Sequence, residues 1–262
     1  MSGSAEAAQV WPALALTLVV AALTLPSSWP GDMPSPSPGN PARLIELLVP
    51  GLFAPVTGLA ESRSLVTQTV LGERTGPWVL TSRFHVGLTA LALSLLGLLK
   101  ARGTVALIAR SLLALAALLA SGLLPVSPGL SLPLAQAALA VLAGCGLLAL
   151  LCRPDERSEM ALAVFCLAMT VALVGAALAA GAATDGEALK PFLNALPADR
   201  PAPGPAGLAA SAKVLRHALD HAALASCVCL AAILGLLRWR GPVAAVLVSL
   251  ACAAELALLS GR

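Results

Sequence analysis

The chain contains three histidines, and their positions predict a site for a metal ion or a haem group. His217 and His221 are four residues apart, so both side chains lie on the same face of a helix. His85 opens a different apolar segment, far away in the sequence. Two histidines from one helix and a third from another form a ligand set for zinc or copper. One histidine from each of two helices, His85 with His221 or His217, could instead hold haem b through its iron.

An internal repeat places two of these histidines at similar depth. Residues 97–106 align with residues 235–244, and both copies carry a basic pair between apolar stretches. His85 lies twelve residues before the first copy and His221 fourteen before the second. At about 1.5 Å per residue, their depths differ by about one helical turn or less. Residues 146–153 form a fainter third copy, so we predict three related helical hairpins, each turning on a basic loop.

Two acidic residues could support such a site. Asp220 directly precedes His221 and could orient a neighbouring histidine by accepting a hydrogen bond from its ring. Glu255 lies inside the last apolar segment, and ionisable residues within a membrane span are rare because burial there is unfavourable. We expect Glu255 to lie at the depth of the histidines and to line the same pocket. Arg110 also lies within a span, close enough to a polar loop to extend its guanidinium towards water.

The three histidines also allow a zinc enzyme. In carrying one early histidine and a late His-x-x-x-His pair, the chain resembles the seven-helix zinc hydrolases typified by alkaline ceramidases. The resemblance implies that His85, His217 and His221 hold a zinc ion that activates water. Thr81 or Ser82 lies near the place of that family's serine. The acidic residue that the family carries shortly after its first histidine is missing, and the likeness covers no continuous stretch.

A third interpretation gives the protein a purely structural role without a cofactor. Polar residues commonly mark the ends of membrane spans, and hydrated histidines there need no ligand. The six cysteines lie in or beside apolar segments, which predicts buried thiols rather than a disulfide framework. No nucleotide-binding loop, GxSxG elbow, HExxH or CxxCH sequence occurs. The sequence therefore leaves open whether the protein is an enzyme.

The composition requires a membrane as solvent. Hydrophobic residues make up 58% of the chain and charged residues 11%, and the mean hydropathy is +0.90. A soluble domain is about 45–50% apolar and about 25% charged, so this chain has too few charges to cover a surface in water. Its net charge of +3 is too small to indicate nucleic acid, and we expect no such partner.

The hydropathy pattern predicts an all-α integral membrane protein, since a span needs about 20 mainly apolar residues. We place seven transmembrane helices at residues 10–26, 84–100, 104–124, 131–151, 160–182, 214–237 and 242–260. Residues 1–26 are expected to form an N-terminal anchor helix and residues 27–83 an extracytoplasmic linker with an interfacial helix. Residues 84–262 would form a six-helix bundle with an extracytoplasmic loop at 183–212 that includes a short helix near 186–196.

Basic residues predict the orientation of these spans. Three short loops each carry two basic residues: Lys100 and Arg102 in the first, Arg153 and Arg157 in the second, and Arg238 and Arg240 in the third. Loops rich in Lys and Arg stay on the cytoplasmic side, so we expect a cytoplasmic N-terminus and an extracytoplasmic C-terminus, in a bacterial or organellar inner membrane. Few functional groups and many small residues suggest a subunit of an electron-transfer or energy-transducing complex, with lipid and other membrane subunits as partners.

Overall fold

The computed structural model describes residues 86–120, 131–152, 155–196, 204–239 and 241–260, with isolated positions at 14, 17, 20, 48, 49, 52, 65, 66 and 69. Within these residues the chain forms seven α-helices and no β-strand, which confirms the all-α prediction. They are α1 (Leu88–Lys100), α2 (Thr104–Ala120), α3 (Ser131–Cys152), α4 (Glu156–Ala182), α5 (Asp185–Asn194), α6 (Pro205–Trp239) and α7 (Pro242–Ser260). Most of the predicted anchor helix and linker, and His85, lie outside the described residues.

Three predicted helix starts differ from the observed ones by four residues or more, those of α1, α4 and α6. The chain enters α6 at Pro205, inside the predicted loop at 183–212, because proline at the first helical position loses no hydrogen bond. The short helix expected within that loop is present as α5, which begins with a capping box between Thr184 and Glu187. The predicted helix at 84–100 starts late, at Leu88, because Gly87 has a φ of +83° that no helix continues.

Three of the helices are long and apolar enough to cross a membrane, namely α3, α4 and α6. Helices α1 and α2 pass the same criterion only as a pair, and the chain bends by 113° between them. Helix α7 contains a shorter apolar stretch, Val243–Ala257. The described residues therefore include three candidate spans, or four with the bent pair, and the predicted seven spans are not confirmed.

Helix α1 occupies the centre of the bundle. It packs most closely on α3 and also contacts α2, α4, α6 and α7. Nine of its 13 residues are buried. Helix α2 packs mainly on α3, and α4 packs mainly on α6. Of the three helix pairs that the repeat predicts as hairpins, α1 with α2, α3 with α4 and α6 with α7, only the last packs closely among the described residues. The packing therefore does not follow the three predicted hairpins.

Helices α4 and α6 are antiparallel. The sulfur atoms of Cys166 and Cys229 are 3.9 Å apart, and the hydroxyl of Thr170 donates to the carbonyl of Ser226 at 3.0 Å. The start of α4 therefore lies beside the end of α6. Lys100, the last residue of α1, reaches the same place, because its Nζ lies 2.7 Å from Asp155 Oδ2.

The three basic loops consequently lie at one end of the bundle, as their composition predicts. We call this the basic end; its described cations are Lys100, Arg102, Arg157 and Arg238. We call the opposite end, where α4 stops and α5 begins, the far end. A small cluster packs there, in which the backbone N–H of Leu65 donates to Ser211 Oγ at 3.0 Å and Leu189 is fully buried.

Candidate functional site

The two histidines of α6 lie in contact on one turn of the helix. The ring centroids of His217 and His221 are 4.1 Å apart, with the ring planes tilted by 51°. His217 is exposed and His221 is half-buried. The structure thus brings together the pair that the spacing predicts. His85 lies outside the described residues, so a three-histidine site remains a prediction.

Arg216 fixes the position of this pair at the far end. Its Nε donates to the carbonyl of Ala180 at 2.8 Å and its Nη2 to the carbonyl of Ala183 at 2.7 Å. Its Nη1 also lies 2.8 Å from Asp185 Oδ1. The guanidinium therefore binds the unpaired carbonyls at the end of α4, where the helix dipole favours a cation. Because His217 is the next residue, these bonds set the depth of the histidine pair.

Sequence reasoning did not identify Arg216. The signal available was a cation next to a histidine at the predicted edge of a span, and such a cation commonly extends to water. Asp220, which was expected to orient a ring, is exposed and makes no hydrogen bond to either histidine among the described residues. Its role in orienting a ligand remains a prediction.

Glu255 is fully buried and caps α1 from a distant helix. Its Oε2 accepts a hydrogen bond from the backbone N–H of Thr89 at 3.0 Å, and its Oε1 accepts one from the Thr89 hydroxyl. Gly87, the N-cap residue of α1, offers no side-chain cap of its own. A Cβ atom on Gly87 would lie 3.0 Å from Glu255 Oε2, so a glycine gives the carboxylate room to approach.

The depth of Glu255 in the bundle differs from that of the described histidines. Thr89 also interacts with the Cys229 side chain, so Glu255, Thr89 and Cys229 lie at one level of the bundle. Cys229 lies eight residues beyond His221, which corresponds to roughly 12 Å along α6. The sequence does not determine the register between α6 and α7. The packing of the helices places Glu255 nearer the middle of the bundle than the two histidines. His85 lies two residues before Gly87 in the sequence. A pocket that Glu255 shares with His85 remains a prediction.

Arg110 caps the opposite end of α1. Its Nη2 donates to the carbonyl of Ala101 at 2.8 Å and lies 3.5 Å from the carbonyl of Gly97. An acid therefore lies at the N-terminus of α1 and a base at its C-terminus, which is the favourable arrangement for both ends of the helix dipole. Both ionisable residues that the sequence marked inside spans thus stabilise one central helix.

Within the described residues, no group of three or more His, Cys, Asp or Glu side chains could together hold a metal ion. The donor pairs in contact there are His217 with His221 and the buried thiols of Cys166 and Cys229. Two imidazoles one helical turn apart can supply two nitrogen ligands to one transition-metal ion, or either can supply an axial ligand to haem iron. No protein-family model, curated protein or solved structure matches this chain.

Proposed function

We propose that this protein is an integral membrane subunit of an electron-transfer or energy-transducing complex, and that His217 and His221 help to bind its metal centre or haem. The observation that carries the proposal is the contact between the two rings, at a depth set by Arg216. The charged side chains of Glu255 and Arg110 are already engaged in capping α1. The histidine pair is consequently the strongest candidate for binding chemistry among the described residues.

Neutral imidazole suits copper, zinc and haem iron alike, so the donor set fits each of these groups. In this proposal His85 completes the site from the segment just before α1. A copper ion or haem b would supply one-electron chemistry when bound. The protein would supply the ligands, and the bonds from Arg216 would keep α6 at constant depth against α4.

The exposed surface supports partners within the membrane. Large apolar side chains are exposed on several helices, including Val105, Leu107, Val171, Leu178, Val243 and Leu250. Such a surface is unfavourable in water, so we propose that lipid and other membrane subunits cover it. The collection of cations at the basic end supports a cytoplasmic position for that end in a bacterial or organellar inner membrane, with the histidines on the opposite side.

A second candidate is a zinc-dependent membrane hydrolase. Histidines four residues apart on a helix are a frequent arrangement for holding one zinc ion, and the short distance between these two rings favours a shared ion. In that case the zinc would activate a water molecule. This candidate requires His85 as the third ligand and an opening from the site to a substrate.

The test is a visible absorption spectrum with metal analysis on one detergent-purified sample. Wild type is compared with His85→Ala, His221→Ala and the control Lys213→Ala, which removes another polar side chain from the same helix. A Soret band lost in both histidine variants supports haem and electron transfer. Stoichiometric copper lost in both supports a copper centre, and zinc with hydrolytic activity supports the second candidate. If the wild-type protein contains neither haem nor metal, both candidate functions are overturned and a structural subunit is favoured.

A further inference from the structure

Helices α1 and α4 leave a groove of about 430 Å³ between them, next to the basic end. Its walls are mainly apolar side chains, among them Leu99, Ala161 and Phe165. Lys100, Arg157 and Ser158 line one end. The volume lies within the range of about 300–1,000 Å³ that is common for sites binding small organic ligands.

The polar end of the groove carries excess positive charge. Asp155 pairs with Lys100 at 2.7 Å and accepts a hydrogen bond from Ser158 Oγ at 2.6 Å. Arg157 is exposed and forms no ion pair among the described residues. The neighbouring acids Glu156 and Glu159 do not line the groove. The described residues that line the groove thus include two cations and no acid. Asp155 pairs with Lys100 from outside the lining, so the guanidinium of Arg157 is available for a further anion.

The two ends of the groove correspond to different depths in a bilayer. Arg157 and Lys100 lie at the basic end, where a cation can meet the lipid headgroups. Phe165 lies eight residues beyond Arg157 on α4, roughly 12 Å further into the bundle. The groove thus runs from headgroup depth into the hydrocarbon layer. A free phosphate ion would use only its polar end, whereas an acyl chain would cover the apolar walls.

We propose that this groove binds an anionic phospholipid, with the headgroup phosphate at Arg157 and an acyl chain against Ala161 and Phe165. Arginine binds phosphate oxygens through a planar pair of N–H donors, which gives strong charge-assisted hydrogen bonds. Basic pockets between helices on the cytoplasmic side are suited to anionic headgroups. The proposal rests on the membrane assignment and on the proposed cytoplasmic basic end, and it is independent of any metal at the histidines.

Native mass spectrometry of the full chain in detergent tests the headgroup contact. Phosphatidylglycerol and phosphatidylcholine with identical acyl chains serve as probes. We expect wild type to retain phosphatidylglycerol about tenfold better, and Arg157→Gln to lose most of that preference. The control Arg102→Gln removes an equal charge from an exposed residue at the same end, outside the groove. This variant should keep the preference for phosphatidylglycerol. Equal retention of both lipids by wild type, or equal loss in both variants, overturns the proposal.

A second pair of variants tests the acyl chain. Ala161 is exposed in the groove, so Ala161→Phe should fold and occupy the space, whereas Ala168→Phe places the same ring outside it. We expect only Ala161→Phe to reduce phosphatidylglycerol retention, about tenfold. In one outcome, inorganic phosphate by itself displaces phosphatidylglycerol from the protein, and Ala161→Phe leaves the retention of that lipid unchanged. The site then binds free phosphate, and the lipid proposal is overturned. Thermal unfolding of all four variants confirms that each is folded.

Discussion

The carboxylate of Glu255 joins the last helix to the first turn of α1, because both of its oxygens accept hydrogen bonds from Thr89. The two residues are 166 positions apart. Helix N-termini usually obtain a cap from a local Ser, Thr, Asp or Asn side chain. Here Gly87 occupies the N-cap position, so the buried N–H groups depend on a carboxylate from α7. Helix α1 consequently begins inside the bundle rather than at its surface.

Removing this cap should destabilise the protein. Glu255→Ala leaves a buried N–H of α1 without its acceptor, and we expect a loss of about 1–3 kcal/mol in the free energy of unfolding. Glu255→Gln keeps one acceptor oxygen and should lose less. Thermal unfolding in detergent measures both. Wild-type stability in Glu255→Ala would contradict the capping role, and unchanged metal content in Glu255→Gln would remove Glu255 from the proposed metal site.

The repeat aligns Gly97 with Gly235, but the structure predicts opposite effects of substitution. A Cβ atom on Gly97 would collide with the carbonyl of Leu142 and lie 3.0 Å from the backbone N of Gly146, where α1 crosses α3. A Cβ atom on Gly235 would meet only the Trp239 ring, at 3.6 Å. We expect Gly97→Ala to cost about 1–3 kcal/mol or more through overpacking.

Gly235→Ala is the matched control for that variant. Alanine is favoured over glycine inside a helix by about 1 kcal/mol, so this substitution should be neutral or stabilising. Unfolding temperatures of the two variants, measured in the same detergent, provide the comparison. An unchanged unfolding temperature in Gly97→Ala would show that the close crossing of α1 and α3 is not formed.

Arg216 should control both stability and the proposed histidine site. Arg216→Gln removes bonds to two carbonyls at the end of α4 and to Asp185. Because the residue is partly buried, we expect a loss of about 1–3 kcal/mol. Metal or haem content should fall with it, since α6 is no longer held at a constant depth. Lys213→Gln is the control, and equal effects of the two substitutions would exclude the anchoring role.

The ion pair at the basic end predicts a dependence of stability on pH. Hydrogen bonds from Lys100 and Ser158 lower the pKa of Asp155 to about 2. The ionised form therefore stabilises the fold above an ordinary carboxyl pKa of about 3.9, and this contribution is lost as the pH falls towards 2. Wild type should exceed Asp155→Asn in unfolding temperature near neutral pH and approach it near pH 2. Parallel pH profiles would show that the pair contributes nothing.

Local patterns in the sequence predicted several features correctly. The apolar runs predicted the helices from residue 88 onwards, and the range 242–260 matches α7. Spacing alone placed His217 and His221 on one face, and their rings are in contact. The composition of the loops predicted that the three basic loops lie on the same side. The ion pair of Lys100 with Asp155 joins two of these loops. Each of these predictions depends on a local pattern, namely an apolar run, a spacing of four residues or the composition of a single loop.

The tertiary structure alone determined which helices meet. An apolar segment in a membrane must satisfy its own backbone hydrogen bonds, so composition is enough to predict a helix. Helices α3 and α4 are apolar on nearly all sides, however, and no stripe marks the face that meets a partner. The partners are decided instead by the close contact of Gly97 with Gly146 and by the capping of α1 from Glu255 and Arg110. These contacts depend on register between distant segments, and a hydropathy pattern carries no information about that register.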